Sequence, residues 1–148
     1  MEKISEFVKI FLNSQKLGYV ATVSEDGTPN LSPKGTIISW EENTLAFADI
    51  RSPNTIKNLE NNPHLEINVV DPLIRKGFRF KGVGKIIKNG STYEAILNHY
   101  RTTGIKSPIG AIVLVEISDV LEVTSPLYDL GFSEEQIKDK WKKILFDF

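Results

Sequence analysis

The chain contains no cysteine. That excludes a disulfide framework, a thiolate nucleophile, an iron–sulfur cluster and a cysteine-ligated zinc. It has two histidines, His64 and His99. Two are too few for a histidine-rich metal centre and leave little material for a Ser–His relay. Neither sign of charge dominates: 18 basic and 19 acidic residues give a net charge of −1. A general nucleic-acid binder carries a basic surplus, so nucleic acid is not expected as a partner. No apolar run approaches the roughly 20 residues that span a bilayer. The opening Met1-Glu2-Lys3-Ile4-Ser5-Glu6 has no basic leader ahead of an apolar stretch. The expectation is a cytoplasmic protein with no membrane partner.

Catalytic signatures are sparse as well. Gly82-Val83-Gly84 is a GxG, but Ile87 stands where a dinucleotide fingerprint needs its third glycine. There is no GxxxxGK[ST] and no HExxH. A chain without acid–base or nucleophile clusters can still do chemistry if a cofactor carries it.

What is present is ordinary globular material. The 148 residues are 41% hydrophobic and 25% charged, enough to bury a core without staples. Ile4, Phe7, Val8 and Phe11 form one helical stripe. Leu17–Ser24 and Thr28–Trp40 read as strands around the turn Glu25-Asp26-Gly27. Thr44–Asp49 is a third strand. Ser52-Pro53 opens a short helix that Asn61-Asn62-Pro63 stops. His64–Val70, Gly77–Lys88 and Ile109–Val123 complete six strands. Ser91–Glu94 and Ser133–Gln136 read as capping boxes; the second opens a helix with Ile137, Trp141, Ile144 and Leu145 inward. Six strands without βαβ alternation fit a small antiparallel barrel, or an open α+β sheet.

Three segments could meet an anion. Arg51 to Asn58 places free helix N–H groups beside two hydroxyls, an amide and two cations, the set a phosphate dianion needs. A plain N-cap with a solvated first turn is the other reading. In Ser32-Pro33-Lys34-Gly35-Thr36, Pro and Gly bracket a lysine within a strand. They mark either a ligand approach or a bulge with a surface lysine. Arg79 and Lys81 share one strand face and Phe78 and Phe80 the other. That is a positive wall, or an ordinary solvated face.

The stretch from Tyr19-Val20-Ala21-Thr22 through Asp26-Gly27-Thr28-Pro29 to Pro33-Lys34-Gly35 resembles the opening hairpin of the pyridoxamine 5′-phosphate oxidase-like family, the FMN-binding split barrels. Phe47 to Pro63, ending Asn58-Leu59-Glu60-Asn61-Asn62-Pro63, resembles the family's next segment. Gly77-Phe78-Arg79-Phe80-Lys81-Gly82 resembles its GxRxxG strand. The three motifs stand in the family's order and spacing.

The resemblance implies a mainly β fold: a six-stranded antiparallel split β-barrel of Greek-key type with flanking helices. It implies one FMN-binding unit over 1–148, with an N-terminal helix at 2–16, the barrel at 17–124 and a C-terminal helix at 133–146. It implies a homodimer with FMN at the interface. Ser32, Pro33, Lys34, Gly35 and Thr36 would serve the flavin ring and ribityl side. Ser52, Asn54, Thr55, Lys57 and Asn58 would serve the phosphate. Arg79 and Lys81 would reach the phosphate or the pyrimidine edge. The activity implied is oxidoreduction of a small molecule. A deazaflavin F420 reductase, a non-catalytic flavin store and a haem barrel using His64 or His99 are the other readings. The chain departs from the longer pyridoxamine 5′-phosphate oxidases, because Lys142 to Phe148 offers no counterpart to their basic C-terminal segment.

Overall fold

The structure is a computed structural model and describes residues 4–147. Helix α1 (Glu6–Ser14) leads into β1 (Gly18–Val23), β2 (Pro29–Lys34), β3 (Ile38–Glu41) and β4 (Thr44–Asp49). Helix α2 (Pro53–Asn61) follows, then β5 (His64–Asp71), β6 (Lys76–Ile87), α3 (Ser91–Thr102), β7 (Ala111–Thr124) and α4 (Glu134–Phe146).

The strands form one seven-stranded sheet in the order β2-β1-β5-β6-β7-β4-β3, and every pairing is antiparallel. Its two edges, β2 and β3, are consecutive in the chain and joined only by residues 35–37. Four residue steps reach at most about 14 Å, whereas seven flat strands would hold their edges about 29 Å apart. The sheet must therefore curl until its edges meet, which is the split barrel. The expected single strand Thr28–Trp40 is two strands, so the count is seven rather than six. Gly35 and Thr36 break the ladder where the chain crosses the split.

Alternation sets the barrel interior. In β5, Leu65, Ile67 and Val69 are buried, while Glu66 and Asn68 alternate onto the outer face and are half-buried. Val20, Phe47, Ile67, Phe80, Val113 and Ile117 fill the centre. Gly82 sits at the register shift between β6 and β7, where an added Cβ would fall 2.4 Å from the Glu116 carbonyl oxygen. Helices α1 and α2 close the interior with Val8, Leu12, Ile56 and Leu59. Helix α3 covers the other face of β4 and β7 through Ile96 and Tyr100.

Several helix details differ from the sequence reading. The α1 stripe is Ile4, Val8 and Leu12, whereas Phe7 is 70% exposed. Helix α3 takes Gly90 (φ 100°) as its N-cap, and no side chain caps it. Ser91 is already helical there, so the first capping box does not form. The second does: Ser133 Oγ accepts from Gln136 N at 3.1 Å, and Ser133 N donates to Gln136 Oε1 at 2.9 Å. Of the α4 residues expected inward, Ile137 is buried and Trp141 half-buried, but Ile144 and Leu145 are exposed. The helix meets the barrel through Glu134 with Lys76 and Trp141 with Arg75, both in its first two turns and a half.

Candidate functional site

Strand β2 is an edge, and its inward side is polar. Asn30, Ser32 and Lys34 fall at i, i+2 and i+4 on one face. Opposite them stands the first half of α2. Lys34 Nζ donates to Ser52 Oγ, and Ser32 Oγ lies 3.4 Å from the same hydroxyl. Ser52 is the residue before α2, yet its side chain caps nothing. Its backbone N–H donates instead to Asp49 Oδ1 at 3.0 Å. The hydroxyl is thereby turned toward β2, and the first N–H groups of α2 are left to other acceptors.

Lys34 is 5% exposed and lies over the Phe47 ring, 5.7 Å from its centroid. No carboxylate forms an ion pair with it among the described residues. Burial pushes the ammonium below the ordinary lysine range, and the Asp49 charge offsets part of this. The reading of Lys34 as a surface lysine is therefore overturned.

One turn into α2, Thr55 is 1% exposed and its hydroxyl has no hydrogen-bond partner. Buried hydroxyls are nearly always paired, which sets this one apart. Asn58 is also buried and donates to Thr22 Oγ1 at 3.0 Å; Asn30 reaches the same oxygen at 3.4 Å. Asn54, Lys57 and Asn58 line an open cleft of about 410 Å³ with Asn30, Thr28 and Asp26. Asp26 anchors its rim, accepting from Thr28 Oγ1 at 2.6 Å, and that bond lowers its pKa.

Gly35 and Thr36 line a different cleft, of about 390 Å³, with Lys16, Ser39, His99 and Tyr100. Thr36 is clamped at both ends. Its hydroxyl accepts from Ala48 N at 2.9 Å, and its carbonyl accepts from the Tyr100 hydroxyl at 2.8 Å. Pro33, Arg79 and Lys81 lie elsewhere. Pro33 pairs with Tyr19, Tyr19 with Asn68 and Asn68 with Arg79, a row on the outer face of the sheet. Arg79 and Lys81 stand 3.8 and 3.9 Å from Glu66 Oε1, both exposed. Exposed pairs of this kind contribute little stability. The structure thus brings Ser32, Lys34, Ser52, Asn54, Thr55, Lys57 and Asn58 to one seam, puts Gly35 and Thr36 beside it, and leaves Arg79 and Lys81 on the opposite face.

Sequence reasoning missed Asp49, Thr22, Asn30 and Tyr100 as supports. For Asn30 the signal existed: three alternating polar residues on a strand face that should point into a core.

A curled antiparallel sheet with its polar seam at the split defines a small split-barrel protein. A family model described as pyridoxamine 5′-phosphate oxidase matches residues 4–122. The chain belongs to the pyridoxamine 5′-phosphate oxidase-like family. Among solved structures, HupZ of Group A Streptococcus is 30% identical, with 82% of this chain and 95% of that one covered and a TM-score of 0.74. An FMN-binding protein from Syntrophomonas wolfei shares the fold at 16% identity, with 80% and 84% covered and a TM-score of 0.71. An F420 reductase does so at 21% identity, with 80% and 98% covered and a TM-score of 0.60. No curated protein matches the chain in sequence. Among the described residues, no helix is long and apolar enough to cross a membrane, and no acidic or histidine cluster could hold a metal.

Proposed function

We propose that this chain is a homodimeric flavoprotein that binds FMN at the seam between β2 and α2 and works as an oxidoreductase on a small molecule. The observation that carries it is the buried Lys34 ammonium, held by Ser52 at the start of α2 with no carboxylate ion pair among the described residues. A desolvated cation at a helix N-terminus is a site for a dianion.

The residues fit the cofactor. Lys34, Ser32, Ser52, Asn54 and Lys57 supply charged and neutral donors to a phosphate, and the Thr55 hydroxyl is free to join them. Gly35 and Thr36, in the neighbouring cleft, are the backbone available to a flavin ring. Bound FMN supplies hydride and single-electron transfer at its isoalloxazine ring. The chain itself binds, orients and sets the local charge, which needs neither cysteine nor a catalytic histidine. Arg79 and Lys81 face away from the seam, so they meet a cofactor only across a dimer interface. A second reading, F420 in place of FMN, draws on the likeness to the F420 reductase.

The absorbance of the purified protein, the mass of any released cofactor and titration of apoprotein with FMN and F420 test this. Saturation by FMN at one per chain is expected. A chain that takes F420 and not FMN moves the proposal to the second reading. A colourless chain that takes neither overturns both.

A further inference from the structure

The turn between β5 and β6 ends in two cations with different fates. Lys76 Nζ lies 3.9 Å from Glu134 Oε1 and 4.4 Å from the Tyr128 ring centroid, so its charge is met. Among the described residues Arg75 has no carboxylate partner. Its guanidinium carbon lies 3.4 Å from the centroid of the Trp141 ring on α4. None of its side-chain N–H groups has an acceptor among the described residues, and Nε is buried. The nearby acids are already engaged. Asp71 Oδ1 accepts from Leu73 N at 2.9 Å, and Glu134 faces Lys76. Trp141 Nε1 is likewise buried without an acceptor.

The backbone holds this arrangement at a cost. Arg75 has φ 56°, the one positive value among described residues other than glycine. Its N–H donates to the Asp71 carbonyl and its carbonyl accepts from Ser125 N, both at 2.9 Å. Such strain persists where surrounding structure enforces it, and it clusters at functional positions. Beside the pair lies a cleft of about 350 Å³ whose other walls are Val70, Val123, Thr124 and Ser125.

A half-buried guanidinium stacked on indole, two buried donors without acceptors and an apolar wall share one place. We infer that this cleft, between the β5–β6 turn and α4, binds a small carboxylate with an apolar body. Its carboxylate takes the fork of Arg75, which suits two parallel hydrogen bonds. Its body lies on Val70, Val123 and the Trp141 edge. The site does not involve the β2–α2 seam and does not depend on flavin binding.

Benzoate is the probe, with acetate and inorganic phosphate as comparisons. Trp141 becomes the sole tryptophan in Trp40→Phe, so its fluorescence reports the cleft. Saturable quenching by benzoate is expected, at least tenfold tighter than by acetate or phosphate. Arg75→Gly removes the guanidinium at a φ that glycine accepts readily, and should weaken benzoate at least tenfold. Arg75→Lys keeps the charge without the fork and should weaken it several-fold, which covers the case that Arg75→Gly releases α4. No saturable quenching overturns the inference, as does equal binding by all three variants. Phosphate binding as tightly as benzoate overturns the assignment of an apolar carboxylate.

Discussion

The ammonium of Lys34 lies against the hydroxyl of Ser52, eighteen positions later in the chain. The contact closes the barrel's polar seam from both sides, a strand edge and a helix start. It also leaves a buried charge short of a counter-charge. Lys34→Met should therefore act oppositely on apoprotein and complex. Without cofactor it removes a desolvation penalty, so the melting temperature rises. With FMN it loses a charge-assisted phosphate contact of about 1.5–3 kcal/mol, roughly ten- to hundredfold in affinity. Calorimetric melting and FMN titration of the one variant check both. Unchanged affinity would place the phosphate elsewhere.

The sign of the pH dependence follows from the depressed pKa. The folded apoprotein gives up the Lys34 proton at lower pH than the unfolded chain. Apoprotein stability therefore gains from Lys34 as pH rises from the depressed folded value toward the ordinary value of 10.5. FMN affinity runs the other way, falling over that window as the ammonium is lost. A flat affinity profile across the alkaline range in wild type, matching Lys34→Met, would remove Lys34 from the phosphate site.

Thr55→Val replaces an unpartnered buried hydroxyl with a methyl. Leaving such a group unpaired costs about 1–3 kcal/mol, so the apoprotein should be stabilised by about 1 kcal/mol or more. If the hydroxyl serves the phosphate, FMN binds about tenfold more weakly at the same time. Greater stability with full affinity would show that Thr55 is merely unpaired.

Most of the sheet was legible because its turns are chemically explicit. Asp26-Gly27 places glycine at φ 85°, and Asn62-Pro63 and Asp71-Pro72 interrupt helix and strand. The seventh strand was hidden because Gly35-Thr36 crosses the split without a strong breaker, and the β-branched run Thr36-Ile37-Ile38 follows directly. Helix orientation was less legible still. A stripe of period 3.6 cannot say whether Phe7 or Leu12 flanks the buried line, since tertiary packing decides it. The cluster of polar and cationic residues at the start of α2 was readable from types and spacing at Ser52-Pro53. That Ser52 turns its hydroxyl to Lys34 was not, because Asp49 takes the Ser52 N–H and the geometry is set by the β4–α2 loop.

Tyr100→Phe tests the clamp on the barrel split. The phenol donates to the Thr36 carbonyl, and burial pushes its pKa well above the usual 10.0. Removing the hydroxyl leaves that carbonyl unpaired, at a cost of about 1–3 kcal/mol. The folded state keeps this proton longer than the unfolded chain does. Its contribution to stability is complete below pH 10.0 and declines above it. The difference in stability between wild type and Tyr100→Phe should narrow above that pH. A gap constant through the alkaline range would mean the phenol ionises alike in both states.

The outer face of the β2-β1-β5-β6 sheet bears on the proposed dimer. Leu31 is 67% exposed, Leu17 53% and Tyr19 42%. Arg79 and Lys81 share that face and do not meet the seam of their own chain. Of the C-terminal aromatic residues, Trp141 is taken by Arg75, Phe146 is exposed, and Phe148 lies outside the described residues. If two copies pair through the outer face, its apolar residues leave water and each pair of cations comes within reach of the other copy's cofactor. Sedimentation should then show a species near twice 16.7 kDa. Leu31→Asp with Tyr19→Asp should yield a folded monomer, because both side chains are exposed within one chain. That monomer should bind FMN at least tenfold more weakly, as expected for losing about 1.4 kcal/mol or more of charge-assisted contact. A monomer holding flavin at full affinity would show that the seam of one chain suffices and that Arg79 and Lys81 take no part in binding.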